Sequence, residues 1–167
     1  MRVILGIDPG LDGGLAVLAD GVAVYDTPTL TVAGGKGHRR EYNLTLMVNL
    51  IRAGTLLEDY HVDDVSAFIE AVHAMPGQGV RSMFTMGFGL GLWTGILAGL
   101  RIPYTRVAPQ RWKKAMMDGM GKEKDASRLR AQQLFPTAEL HLKKHHGRAD
   151  ALLIAEYGRR VLTEPQP

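Results

Sequence analysis

Three short apolar runs open the chain, separated by turns too tight to hold anything but hairpins. Arg2–Asp8 (RVILGID) is rich in β-branched residues and reads as a buried strand. Gly14–Ala19 and Val22–Asp26 follow, and Asp20-Gly21 joins them. Both residues of that pair tolerate positive φ, so this is a strong hairpin signal. A chain that begins with three antiparallel strands must cover a sheet, and the rest supplies the cover. A helix is expected over Tyr42–Tyr60, with Met47, Ile51, Gly54 and Leu57 on one face. Val65–Glu70 (VSAFIE) reads as a fourth strand, parallel to the first after that crossover. A glycine-striped helix over Phe84–Leu100, a fifth strand at Tyr104–Ala108 and helices at Pro109–Met117, Lys124–Phe135 and Arg148–Leu162 complete the pattern. The expected fold is α/β: a mixed five-stranded sheet, three antiparallel strands first, with helices on both faces. Residues 1–163 form one expected domain and 164–167 a flexible tail. Between the third strand and the first helix, Thr31–Arg40 reads as a glycine-rich basic loop.

Composition narrows the chemistry. The chain has no cysteine, which excludes disulfides, thiolate metal sites and a cysteine nucleophile. Its charge of +3 and pI of about 9.3 permit nucleic acid as a partner without demanding it. Local positive charge gathers in Gly34–Arg40, Arg101–Lys114 and Lys143–Arg148. Ser82–Leu100 carries no charge and is long enough to span a membrane. Five glycines dilute it within an alternating α/β pattern, so a buried helix and no membrane are expected. No secretory or transit pattern precedes the first strand, which points to the cytoplasm; a mature organellar protein would look the same.

Four side chains stand where chemistry is placed. Asp8 ends the first strand before Pro9-Gly10, where it either projects into a crevice or caps the turn. Glu70 closes an apolar strand, and a lone buried carboxylate is costly unless paired, protonated or bound to a cation. The alternative is an edge strand with Glu70 turned to solvent. His146 and Asp150 lie four apart at the start of the last helix and share a face, as ligands or as ordinary helix-terminal caps. His145 lacks that spacing. Three carboxylates with one imidazole suit Mg²⁺ or Mn²⁺ rather than a closed zinc site. Two such ions can activate water and stabilise the leaving oxygen of a phosphodiester.

These residues resemble a family. G-I-D-P-G (Gly6–Gly10), the strand-borne Glu70 and H-G-R-A-D-A-L-L-I-A (His146–Ala155) are similar to the three signatures of RuvC-type Holliday junction resolvases. D-T-P-T (Asp26–Thr29), G-K-G-H-R-R, G-F-G-L-G-L-W (Gly87–Trp93), Trp112-Lys113 and K-K-H-H-G-R-A point to the branch that includes the plant chloroplast resolvases and short phage or bacterial relatives. The resemblance implies an RNase H-like fold acting as a homodimer on four-way DNA junctions. Two symmetric nicks would leave 5′-phosphate and 3′-hydroxyl ends, with two Mg²⁺ or Mn²⁺ per active site. It assigns Asp8 as the bridging ligand and Glu70 as the second. Asp150 would hold the other metal, and His146 would bind metal or orient the attacking water. Lys124 resembles the lysine that touches the scissile phosphate, with Lys122 as the fallback. Many RuvC proteins carry the last two residues three apart with Asp first; here they are four apart and begin with His.

Candidate DNA contacts are Lys36, His38, Arg39 and Arg40 in the basic loop, Phe84 as an apolar wedge, Arg111, Trp112 and Lys113, then Lys122, Lys143 and Lys144. Each has a plainer alternative: a solvated turn for the loop, core packing for Phe84, a packing anchor for Trp112. The glycine-striped helix is either the dimer face or a surface packed on its own sheet. Three other functions stay open: an actin-like kinase or ATPase, which shares the opening Asp-Gly turn; an RNase H-like nuclease on another nucleic acid such as an RNA–DNA hybrid; and a non-catalytic junction-binding module.

Overall fold

The computed structural model describes residues 2–34, 37–55, 64–73, 76–121, 123 and 125–163. Its elements run β1 (Val3–Asp8), β2 (Gly14–Leu18), β3 (Val22–Asp26), β4 (Thr29–Gly34), β5 (Gly37–Tyr42), α1 (Leu44–Thr55), β6 (Val65–Glu70), α2 (Val80–Gly99), β7 (Tyr104–Val107), α3 (Pro109–Met116), α4 (Ala126–Leu134) and α5 (His146–Thr163). Five strands form one sheet in the order β3-β2-β1-β6-β7. The first three pair antiparallel, and β6 and β7 join β1 in parallel, as the apolar runs predict.

Alternation along the strands decides which face each residue serves. In β1, Val3, Leu5 and Ile7 join a buried cluster with Met47 and Ile51 of α1 and Trp93 and Leu97 of α2. Ile4 turns the other way, into a cluster with Phe68, Trp112 of α3, Ala131 of α4 and Ala149–Ala155 of α5. Helices therefore cover both faces. By the same period of two, Asp8 shares the face of Ile4, and Glu70 that of Phe68. Both carboxylates lie on the side covered by α3, α4 and α5.

Close backbone approach sets the position of α5. A Cβ on Gly6 would collide with the Ala151 carbonyl oxygen, and one on Gly147 with the Asp12 carbonyl oxygen. The helix thus rests on the strand backbone, its N-terminus against the turn that follows Asp8.

Two sequence expectations need correction. The basic stretch Thr31–Arg40 is a two-stranded ribbon, β4–β5, rather than a loop, with Val32 opposite Arg39 and Thr31 opposite Arg40. Alternating Thr and Val support extended backbone there. Buried Tyr42 anchors the base of the ribbon, and an Arg40–Asp12 ion pair ties it to the β1–β2 turn. Second, α2 begins at Val80, before the expected Phe84, and is buried along one face only, through Gly89, Trp93, Thr94 and Leu97. By length and composition it could cross a membrane. Gly91, Gly95 and Gly99 have open space where a Cβ would be, so the stripe faces away from the chain's own sheet. The expected end of α1 at Leu57–Tyr60 falls outside the described residues, as do the tail 164–167, Lys36, Lys122 and Lys124.

Candidate active site

Asp8 and Glu70 end adjacent parallel strands, one residue beyond the Ile7–Ile69 pair, so their Cα atoms are neighbours in the sheet. The Gly10 N–H donates to Asp8 Oδ1 at 3.2 Å, closing the Pro9-Gly10 turn beneath the carboxylate. Asp8 therefore does cap its turn, and it is also partly buried. Burial first, then the charges of Asp150 and Glu70, push its pKa up to about 7; the Gly10 N–H and the Lys113 ammonium oppose this. The Tyr42 hydroxyl donates to the Pro9 carbonyl at 3.1 Å, with the Thr85 carbonyl at 3.2 Å, pinning the same turn to α2. Burial and the charges of Asp8 and Asp12 hold that hydroxyl protonated, its pKa pushed up to about 12.

Asp150 comes from the first turn and a half of α5. Burial raises its pKa, opposed by the Ser127 hydroxyl and Lys113; Glu70 raises it further, while His146 lowers it. Asp8, Glu70, Asp150, His146 and Lys113 are thus within electrostatic reach of one another. Arg148, between His146 and Asp150 in sequence, points to the opposite flank. It grips Asp26 of β3 through two bonds of 2.6 and 2.9 Å, which locks the start of α5 to the far strand. His145 is buried beside that pair, in edge contact with His141, and burial followed by the Arg148 charge lowers its pKa.

Two buried polar atoms here, Asp150 Oδ1 and His146 Nδ1, have no hydrogen-bond partner among the described residues. Unsatisfied buried acceptors are rare and ask for a ligand. Among the described residues, no three acidic or imidazole groups already converge on a single point. The donor set nonetheless fits divalent cations. Three carboxylates held together repel one another, and an oxygen-seeking dication removes that repulsion while satisfying both orphaned atoms.

The sequence reasoning placed two further residues differently. Trp112 does not offer a face to DNA: it is fully buried, and its indole N–H donates to Glu70 Oε1 at 2.9 Å. Lys113, expected only as a DNA contact, lies beside the acidic group, its ammonium 5.2 Å from the centre of the Trp112 ring. Both arrive because α3 starts two residues after β7, whose Val107 pairs with Glu70. The Trp-Lys pair just after a strand was the legible signal; which of the two would face the carboxylates was not. Ser127, on the first turn of α4, was missed outright.

Phe84 is not core. It is 72% exposed and stacks on Phe88, ring centroids 6.0 Å apart. The two rings, with Arg39, Arg40, Arg81, Tyr42 and Leu11, line a cleft of about 480 Å³ between the ribbon and α2. His38, Arg111, Lys143 and Lys144 are exposed. A second cleft of about 370 Å³, around Arg2, Leu18 and Phe135, lies at the other end of β1 and holds none of the candidate ligands.

Comparison with known proteins bears on this arrangement. No family model matches the chain. The Holliday junction resolvase MOC1, chloroplastic, of Chlamydomonas reinhardtii is 38% identical over 92 residues, 54% of this chain and 10% of the relative. The chain thus matches only about a tenth of that curated relative's length. A T. thermophilus RuvC structure in complex with Holliday junction substrate aligns over 99% of this chain and all of its own, with a TM-score of 0.57 at 18% identity. A second Thermus thermophilus RuvC structure aligns over 97% and 98%, with a TM-score of 0.53 at 19% identity. The chain therefore has the RNase H-like fold seen in RuvC, and about half of its sequence resembles part of a chloroplastic Holliday junction resolvase.

Proposed function

We propose that this chain is a Holliday junction resolvase, a metal-dependent endonuclease that makes paired symmetric nicks in four-way DNA junctions. One observation carries the reading: Asp8, Glu70, Asp150 and His146 come from three separate elements to one partly buried region, with Asp150 Oδ1 and His146 Nδ1 unpartnered among the described residues. Asp8, Glu70, Asp150 and His146 would hold two Mg²⁺ or Mn²⁺ ions. Bound there, divalent cations would supply Lewis-acid activation of water and charge neutralisation at the leaving 3′-oxygen, consistent with 5′-phosphate and 3′-hydroxyl ends. The chain's own part is positional. The Gly10 N–H and the Tyr42 clamp fix the turn that carries Asp8, Arg148 fixes the helix that carries Asp150, and Lys113 supplies a cation beside the scissile phosphate. Lys124, or Lys122 as the fallback, would contact the scissile phosphate; both lie outside the described residues.

The ribbon Arg39 and Arg40, with Arg111, Lys143 and Lys144, would neutralise junction phosphates, and Phe84 stacked on Phe88 would meet an unstacked base. The uncovered face of α2, from Phe84 and Phe88 through Gly91, Gly95 and Gly99, suits a second copy of the chain, because small residues let two backbones approach. A two-fold dimer sets two sites on opposed strands, as paired nicks require. Such an enzyme would work in a prokaryotic or phage-infected cytoplasm or, as the chloroplastic relative suggests, in an organelle.

The test is cleavage of a labelled four-way junction, the matched linear duplex and an RNA–DNA hybrid in Mg²⁺, Mn²⁺ or EDTA. Paired metal-dependent nicks in the junction alone, lost in Asp8→Asn and Glu70→Gln, are expected. Hybrid cleavage would keep the metal site and discard the junction. Binding of the junction without any cleavage would leave only a binding module.

A further inference from the structure

We propose that Trp112 is the positioning residue of Glu70: its indole N–H engages one carboxylate oxygen and leaves the other as the oxygen offered toward Asp8. The inference rests on the metal-site reading above and adds to it how Glu70 is held. A glutamate has three side-chain torsions, and freezing them opposes ligand binding. Here the indole is fully buried in the cluster under α5, so the N–H that reaches Glu70 Oε1 at 2.9 Å comes from a rigid body. Among the described residues it is the one hydrogen-bond donor to Glu70. With one lone pair of Oε1 engaged by the indole, Glu70 would favour coordination through its other oxygen.

Burial alone does not account for the contact. Trp93 is equally buried on the opposite face of the sheet, and its indole N–H has no partner among the described residues. This fold therefore tolerates an unpartnered indole in its core, while Trp112 is aimed. The same ring also carries the Lys113 ammonium over its face, at 5.2 Å from the centroid. One side chain thus fixes an acidic and a basic member of the site, across 42 residues of sequence in the case of Glu70.

The chain's two tryptophans allow a matched test. Trp112→Phe and Trp93→Phe remove the same atoms from equally buried positions, but only the first removes a donor to Glu70. Calorimetric titration with Mn²⁺ alone, without DNA, should show Trp112→Phe weakened about ten-fold or more and Trp93→Phe within about two-fold of the parent protein. Replacing Trp112 by β-(3-benzothienyl)alanine keeps the shape and deletes the N–H; it should weaken Mn²⁺ as Phe does. In metal-free ¹⁵N-labelled protein, Glu70→Gln should move the Trp112 indole N–H resonance and leave that of Trp93 in place. An unmoved Trp112 resonance, or parent-like Mn²⁺ binding by the benzothienyl variant, overturns the proposal. A moved resonance in a protein that binds no Mn²⁺ would uphold the contact and sink the metal-nuclease reading instead.

Discussion

Neutralising Asp8 should abolish cleavage and, without metal, make the protein more stable. Asp8 is pushed from 3.8 up to about 7, chiefly by burial and then by Asp150 and Glu70. The sign follows from proton counting. Below about pH 4 both folded and unfolded chains hold the proton. Between about 4 and 7 the unfolded chain has released it and the folded one has not, so stability falls as pH rises through that window. Above 7 the loss is complete, at most about 4 kcal/mol for a shift of this size. Asparagine removes the charge and still offers an oxygen to the Gly10 N–H that now reaches Asp8 Oδ1 at 3.2 Å. Its buried amide N–H₂ group gives part of the gain back, leaving roughly 2–3 kcal/mol. For a chain of this length that is a rise in melting temperature of roughly 5–10 °C. Thermal unfolding in EDTA at pH 5 and pH 8, parent beside Asp8→Asn, measures it. The difference should be small at pH 5 and large at pH 8, and Mn²⁺ should stabilise the parent far more than the variant. A variant that melts at or below the parent at pH 8 would refute the claim that Asp8 is a charge held against burial and its neighbours.

Gly6→Ala should unfold the protein or destabilise it by several kcal/mol, seen as loss of a cooperative melt, because its Cβ meets the Ala151 carbonyl oxygen. Gly95→Leu, at a position with open space, should leave the melt intact or raise it by up to about 1 kcal/mol, yet convert a dimer to a monomer in sedimentation; a dimer that persists would remove α2 from the interface. Arg148→Met should lose about 1–3 kcal/mol through its two bonds to Asp26, and weaken Mn²⁺ binding by loosening the start of α5. Replacing both Arg39 and Arg40 by Ala should weaken junction binding uniformly across sequences and lower the salt slope by about one unit for each phosphate no longer neutralised; an unchanged slope would place the ribbon away from DNA.

The strands were legible because each announces itself locally. Val3–Asp8, Gly14–Leu18 and Val65–Glu70 are short, β-branched and bounded by turns, and their pairing follows from hairpin and crossover rules. The ribbon was not, since Gly34–Arg40 carries glycine and charge that read as loop, and nothing local shows Arg40 reaching Asp12. Asp8 and Glu70 stood out as carboxylates at the ends of apolar strands, and His146 and Asp150 as a pair four apart at the start of a helix; the structure puts the four within electrostatic reach of one another. The role of Trp112 was hidden for the opposite reason: a tryptophan near lysines reads as a stacking surface, and only tertiary packing turns its N–H inward. Phe84 had two readings in the sequence, an apolar wedge or core packing; because the sheet covers one face of α2 alone, it is exposed rather than core.

That one-sided cover and the crowding at Asp8 have related origins. Small residues let α5 settle onto the backbone of β1 and the turn behind it, through Gly6 and Gly147. A helix so close brings Asp150 near enough for its charge to be felt at Asp8, which no ordinary helix–sheet spacing would require. On the other side of the sheet, Gly89 lets α2 approach the Pro9 carbonyl and Tyr42, while the remaining glycines of that helix meet nothing within the chain. Glycine thus serves two ends in one molecule. At Gly6 and Gly147 it forces like charges together, at a cost that bound cations would remove. At Gly91 and Gly95 it leaves a flat apolar surface whose cost is removed only by a second surface. On the proposed function, the electrostatic strain would be relieved by bound divalent cations and the apolar one by a second copy of the chain.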